Sequence, residues 1–231
     1  MKVQREFSRY ADDYGNYNII QEQVVAKLIN DLKAKPEHIL DLGCGEGALF
    51  NAIDWHLEHF VGVDFAQRML ELHPKEAPNV ELVECVYGDF NDPNLFESLS
   101  FYEFERIFSA SALQWADDLE GVFKNISSLK RPLSLAIFSG STFKTLFETA
   151  GVSPLLRSSE ELSVLSRRYF NAEIEIMQYK LEFDSVREMF RYIKRSGVSG
   201  NRNLLGFKEM KKLMHEYPLN YLEFEVVFIQ N

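Results

Sequence analysis

DLGCGEG, residues 41 to 47, follows the short apolar run HIL from His38 and precedes a helical pattern. A buried strand that ends in glycines and turns into a helix marks the carboxyl end of a strand in an open α/β sheet. Ligands bind in such folds just there. Gly43, Gly45 and Gly47 allow a tight turn and a close backbone approach to a ligand. The helix start beyond them supplies free N–H groups. Gly43, Gly45 and Ala48 also fit a dinucleotide-binding loop, so the loop alone leaves the ligand open.

The neighbouring carboxylates narrow the choice. Asp64 ends the second apolar run, FVGVD, nineteen residues after Gly45, where an acid can accept from both hydroxyls of a ribose. Asp41 stands directly before the glycines. It would repel a pyrophosphate but pair with a cationic group. S-adenosylmethionine carries an ammonium and no phosphate. Asp89, in GDF after the third run, is placed to accept from an adenine amino group. Phe65 follows Asp64 and can stack on adenine, and Met69 one turn later can add an apolar wall; core packing would use both equally well. Cys44 reads as a small filler, because a sulfonium methyl donor requires no covalent intermediate.

Around this loop the chain alternates strand and helix. Apolar spacing at Ile20, Val24, Leu28 and Leu32 predicts a helix over 18–34. Strands are predicted at HILDLG, FVGVD, VELVECV (80–86), FERIFSA (104–110) and LSLAIFS (133–139), with helices at AQRMLELH and ADDLEGVFKNISSLK. That order predicts a mostly parallel, doubly covered sheet. Past residue 140 two helical stretches, STFKTLFETAG and SSEELSVLSRRYF, precede the strand EIEIMQYKLEF. Helices at SVREMFRYIKRSG and GFKEMKKLMHEY then lead to a closing strand, YLEFEVVFI. The reading is one α/β domain: a cap over 1–35, a cofactor-binding core over 36–140, a lid insertion over 141–173, and the rest of the sheet with basic helices over 174–231.

Composition excludes several classes. With 35 acidic and 25 basic residues the chain carries a formal charge of -10, which argues against non-specific nucleic-acid binding. No apolar run approaches the roughly 18 residues of a membrane helix, and the charged start MKVQREFSRY has no signal-like core. Cys44 and Cys85 lack zinc-type spacing, so no metal is expected, and a reducing cytoplasm is the simple setting.

DLGCGEG, VGVDFAQRML and GDF together resemble the class I S-adenosylmethionine-dependent methyltransferases. That resemblance implies a seven-stranded Rossmann-like sheet whose last strand runs antiparallel. FSRYADDYGNYNIIQEQVVAKL, SASALQWADDL, IFSGSTFKTLFE, RYIKRSGVSG and LEFEVVF, in this order along nearly the whole chain, resemble the malonyl-acyl-carrier-protein O-methyltransferases of biotin synthesis. The pattern departs in places. Ala110 stands where that family often has Asn, Lys130-Arg131-Pro132-Leu133 replaces a Lys-Pro-Gly-Gly turn, and Lys144-Thr145-Leu146 replaces Gly-Thr-Leu.

The resemblance implies methylation of a malonyl thioester carboxylate. A carboxylate is ionised at neutral pH, so no general base is expected and the five histidines read as structural. Gln114, Trp115, Tyr17 and Arg191 are the candidates for positioning substrate. Tyr10 and Tyr14, in the segment that covers the cofactor in that family, join Asp41, Gly43, Cys44, Gly45, Asp64, Phe65, Met69, Asp89, Phe90 and Ser109 as the cofactor set. Other readings are a methyltransferase for a small free acid or other metabolite, a non-catalytic cofactor-binding module, and, more remotely, an NAD-binding protein.

One stretch runs against the overall charge. From Ser185 to His215 eight basic residues face two acids, a local +6 that leaves -16 for the remainder. Arg187, Lys194, Arg195, Arg202, Lys211 and Lys212 form a candidate docking face for an acidic acyl carrier protein. A solvated basic face balancing the acids is the alternative.

Overall fold

The computed structural model describes residues 18–195 and 207–231. Tyr10, Tyr14, Tyr17 and Arg202 lie outside them, as do the side chains of Lys194, Arg195 and Lys211. In chain order the elements are α1 (Ile19–Asn30), β1 (His38–Leu42), α2 (Ala48–Ala52), β2 (Leu57–Asp64), α3 (Gln67–Leu72), β3 (Val80–Tyr87), α4 (Pro93–Leu99) and β4 (Arg106–Ala110). After a single 3-10 turn, Leu113–Trp115, come α5 (Leu119–Ser128), β5 (Leu133–Phe138), α6 (Lys144–Ala150), α7 (Ser159–Tyr169), β6 (Glu173–Glu182), α8 (Val186–Arg195), α9 (Phe207–Glu216) and β7 (Tyr221–Gln230).

The seven strands form one sheet in the order β3-β2-β1-β4-β5-β7-β6. Strands β1 to β5 pair in parallel, and β7 runs antiparallel to both β5 and β6. The chain winds one way from β1 to β3 and the other way from β4 onward. The switch therefore falls between β1 and β4, where an open sheet leaves a crevice at its carboxyl edge.

Alternate residues of the central strands enter opposite cores. Leu40, Leu42, Val61, Val63, Ile107, Leu135 and Val227 pack beneath α4, α5 and α7. Ile39, Phe60, Phe108, Ala136, Phe224 and Phe228 face the other side, under α1, α2, α8 and α9. Burial on both faces is why these strands read as apolar runs rather than as alternation. On α1, Ile20, Val24 and Leu28 are fully buried, each worth roughly 1.5–3 kcal/mol of transfer free energy.

Helix α4 escaped the strand-and-helix pattern. It starts from Asp92, which accepts from Asn94 N at 2.9 Å, with Pro93 at the first helical position. Segment 141–173, expected as a lid, divides between the two faces. Phe143 at the start of α6 is buried beside Phe224, and α7 buries Leu162 in the opposite core next to Phe170. Helix α7 thus covers the sheet through Leu162, while α6 itself buries no residue fully. A capping box fixes the start of α7: Ser158 Oγ accepts from Glu161 N at 3.2 Å while Glu161 accepts from Ser158 N at 2.8 Å.

Candidate functional site

A cleft of about 830 Å³, counted to its open mouth, lies over the carboxyl ends of β1, β2 and β4. The glycine loop forms its floor. Gly43 N and Cys44 N both donate to Val63 O, at 2.8 and 3.0 Å, which ties the loop to the end of β2. Gly43, at φ +80°, leaves no room for a side chain: a Cβ there would stand 2.2 Å from the Ala112 Cβ. At Gly45, with φ +56°, nothing lies within 4 Å of that position. One glycine is demanded by packing against the turn after β4, and the other leaves space beside the cleft.

Asp64 holds the far side. Its Oδ2 accepts from Gly45 N at 3.0 Å and its Oδ1 from Ala66 N at 2.8 Å. Burial raises its pKa, and those backbone donors oppose the rise. With Phe65 N–H as a third backbone donor, the carboxylate still keeps lone-pair capacity for a ligand hydroxyl. Asp41 is more deeply buried, and among the described residues its Oδ1 has no partner. Burial first, and the neighbouring Asp64 second, push its pKa up to about 8.

Asp41 is not alone in lacking a partner. Among the described residues, Asn18 Oδ1 and Gln21 Oε1, from the start of α1, and Ser111 Oγ are buried without a partner, and all three residues line the same cleft. Unsatisfied buried polar atoms are uncommon in folded proteins and mark places completed by something else. Here they are mostly acceptors, fitted to a ligand that brings donors and positive charge. Ser111 also holds φ +62°, a conformation costly for a non-glycine residue and typical of ligand sites.

The cleft gathers many of the residues singled out in the sequence. Asp41, Gly43, Cys44, Gly45, Asp64, Phe65, Met69, Phe90 and Trp115 all line it. Cys44 is buried against Gly62, and burial raises its thiol pKa well above the ordinary value, which suits a filler. Other expected residues stand elsewhere. Asp89 is exposed, and its Oδ1 accepts from Asn91 N and Nδ2 at 2.9 and 2.7 Å. Ser109 is wholly buried, with Oγ donating to Leu42 O at 2.6 Å, so it fastens β4 to β1. Gln114 donates to Ser111 O at 2.6 Å and keeps a buried, unpaired Oε1 behind the turn. Arg191 is exposed on α8, away from the residues lining the cleft.

Asn18, Gln21, Glu46 and Ser111 are cleft residues the sequence did not single out. Asn18 donates to Glu46 Oε1 at 3.3 Å, joining α1 to the loop. The available signal was two amides, Asn18 and Gln21, at the start of an apolar helix. The histidines fall where structure rather than chemistry places them. His38, His56 and His59 lie toward the amino ends of the strands, and His73 is buried behind the loop against Phe50 and Phe60. Among the described residues no group of histidines, cysteines and carboxylates could hold a metal. No described helix is long and apolar enough to cross a membrane.

Comparison with known proteins agrees with this geometry. Residues 40–138 match the family model of a methyltransferase domain. A solved S-adenosylmethionine-dependent methyltransferase of Thermotoga maritima, titled a possible histamine N-methyltransferase, shares the fold. Its TM-score is 0.57 at 15% identity, over 99% of both chains. The loop, the acid after β2 and the strand order are those of the class I methyltransferase fold, and with the methyltransferase-domain match they support an S-adenosylmethionine-dependent methyltransferase.

Within that class the chain resembles the malonyl-acyl-carrier-protein O-methyltransferases. It is 26% identical to malonyl-[acyl-carrier protein] O-methyltransferase 2 of Ilyobacter polytropus, over 100% of this chain and 94% of that protein. It is 25% identical to the malonyl-[acyl-carrier protein] O-methyltransferase of Halorhodospira halophila, over 85% of this chain and 71% of the relative.

Proposed function

We propose that this enzyme methylates the free carboxylate of malonyl-acyl carrier protein, an early step of biotin synthesis in the cytoplasm. What carries the reading is the similarity to malonyl-carrier methyltransferases along the whole chain. The cleft is consistent with it, because no histidine is among its lining residues and a carboxylate acceptor needs none.

Asp41 and the unpaired oxygens of Asn18 and Gln21 would take the ammonium end of S-adenosylmethionine. Asp64 would take the ribose, and Phe65, Met69 and Phe90 would wall the adenine. When bound, S-adenosylmethionine supplies an electrophilic methyl on a sulfonium, which a carboxylate oxygen takes while the carbon–sulfur pair stays on sulfur. The protein's part is positioning at roughly 3–3.5 Å and exclusion of water. Trp115 and the neighbouring Ser111 and Ala112, which line the cleft, would flank the acceptor. No metal is needed for this chemistry. Docking of the acidic carrier falls to the basic region, where Arg187 and Lys212 are exposed.

The deciding assay incubates the protein with S-adenosylmethionine and malonyl-carrier protein and weighs the carrier intact. Malonyl-coenzyme A and free malonate run in parallel. One added methyl on the malonyl carrier and none on malonate is the expected result. Methylation of free malonate alone would replace this reading with a small-acid methyltransferase.

A further inference from the structure

The carboxylate reading leaves a charge problem, and this inference rests on that reading. An anionic acceptor must enter a cleft already lined by Asp41 and Asp64. A bound cationic cofactor offsets part of that field, but the acceptor also needs a cation of its own. Neither Arg191 nor Arg157 lines the cleft itself, but Arg191 is exposed on α8 whereas Arg157 contacts Ala116, next to the lining residue Trp115. We propose that Arg157 is the residue that holds the acceptor's carboxylate.

Arg157 lies in the loop before α7, and two anchors place it at the carboxyl edge of the sheet. Its carbonyl accepts from Gly140 N at 2.7 Å, just past the end of β5. A Cβ on Gly140 would stand 2.7 Å from Leu156 O, so the loop packs directly on that glycine. Both terminal nitrogens, Nη1 and Nη2, lie 3.5 Å from Ala116 O, one residue beyond the cleft residue Trp115. The guanidinium therefore bridges the ends of β4 and β5 beside the wall of the cleft.

Its donors are underused. Two contacts at 3.5 Å are the weakest a hydrogen bond can offer. Among the described residues no carboxylate lies within ion-pairing distance of Arg157. Glu161 is near enough to feel the charge of Arg157 but not to pair with it directly, and its carboxylate caps α7, accepting from Ser158 N and Oγ at 2.8 and 2.9 Å. Other cations at this edge are placed or engaged differently. Arg68 pairs with Glu71 at 3.2 Å, Lys75 donates to Leu70 O at 2.6 Å, and Lys144 is exposed beside Glu148. A guanidinium suits a planar carboxylate through two parallel donors. Such a site favours the anionic substrate and releases the neutral methyl ester.

The test compares the wild-type protein with R157Q and R157K. Methyl transfer to malonyl-carrier protein is measured, together with binding of the malonyl carrier and of its methyl ester to protein saturated with S-adenosylhomocysteine. Loss of charged hydrogen bonds predicts a KM for the malonyl carrier about 10- to 100-fold higher in R157Q, with kcat changed much less. R157K recovers part of it. The preference for malonyl carrier over its ester should collapse in R157Q, while S-adenosylhomocysteine affinity and melting temperature stay put. An active wild type with an unchanged KM and preference in R157Q overturns the assignment. A wild type that methylates no malonyl carrier removes the functional reading, and this inference with it.

Discussion

Replacing Asp41 by asparagine tests the electrostatics of the site at its deepest point. Asp41 titrates near 8 in the folded chain against an ordinary 3.8, because burial and Asp64 disfavour its charge. The unfolded chain therefore releases this proton first, and between those two values the folded state holds one proton more. The sign follows from linkage: stability falls as pH rises through that window. At about 1.4 kcal/mol per pH unit, the loss between pH 4 and 8 comes to roughly 4–5 kcal/mol. The neutral amide of the Asp41→Asn variant carries no such cost. Melting the two proteins at pH 5 and pH 8 should show the variant gaining on its parent as pH rises.

Ligand binding runs the other way. A cation placed against Asp41 favours the ionised form, so binding expels the proton and tightens with pH up to about 8. Between pH 6.5 and 8.5, S-adenosylmethionine should bind the parent roughly 10- to 30-fold more tightly. Calorimetry in buffers of different ionisation heat would count the released proton directly. In Asp41→Asn the affinity should be weaker and flat across that range. A variant that loses stability equally at pH 5 and pH 8, or a parent whose affinity ignores pH, would refute this account.

Gly43→Ala should cost at least about 3 kcal/mol and abolish cofactor binding, because the left-handed backbone and the 2.2 Å clash with Ala112 add; circular dichroism melts and a binding titration check it. Phe123→Ala should destabilise by about 3–5 kcal/mol through an emptied contact with Phe170, at 4.9 Å between centroids, while the variant below its melting point still binds cofactor. Arg187→Glu with Lys212→Glu should raise KM for a carrier-bound substrate several-fold at low salt and little at high salt, with free-cofactor affinity unchanged. Ser158→Ala removes the cap of α7 and should cost about 1 kcal/mol, measured by denaturant unfolding.

Much of the fold was legible because its signals are local. Apolar runs buried on both faces announce parallel strands in a single pass along the chain, and DLGCGEG followed by Asp64 fixes where the first crossover turns. The closing antiparallel strand came from resemblance and agrees with the pairing of β7 between β5 and β6. Helix α4 was missed although Asp92-Pro93 is a start signal, since its few apolar residues give little periodicity. Asp89 and Arg191 show the limit of reading roles from position. One turns its carboxylate to Asn91, and the other stays on an exposed helix face, so motif order placed both near a site that their side chains do not line.

By itself the sequence determined the alternation of strands and helices, the glycine loop, the two acids beside it and the class of cofactor chemistry, all set by residues close together along the chain. Only the tertiary structure decided that Asn18 and Gln21 from α1 meet Ser111 across the cleft. It also decided that Gly43 exists to admit Ala112, and that Arg157 reaches Ala116 from a loop far along the chain. These juxtapositions join loops and helix ends that lie far apart along the chain. Their partners are chosen by how the layers pack and by which polar atoms burial leaves unpaired, and neither quantity is written in any single stretch of the chain.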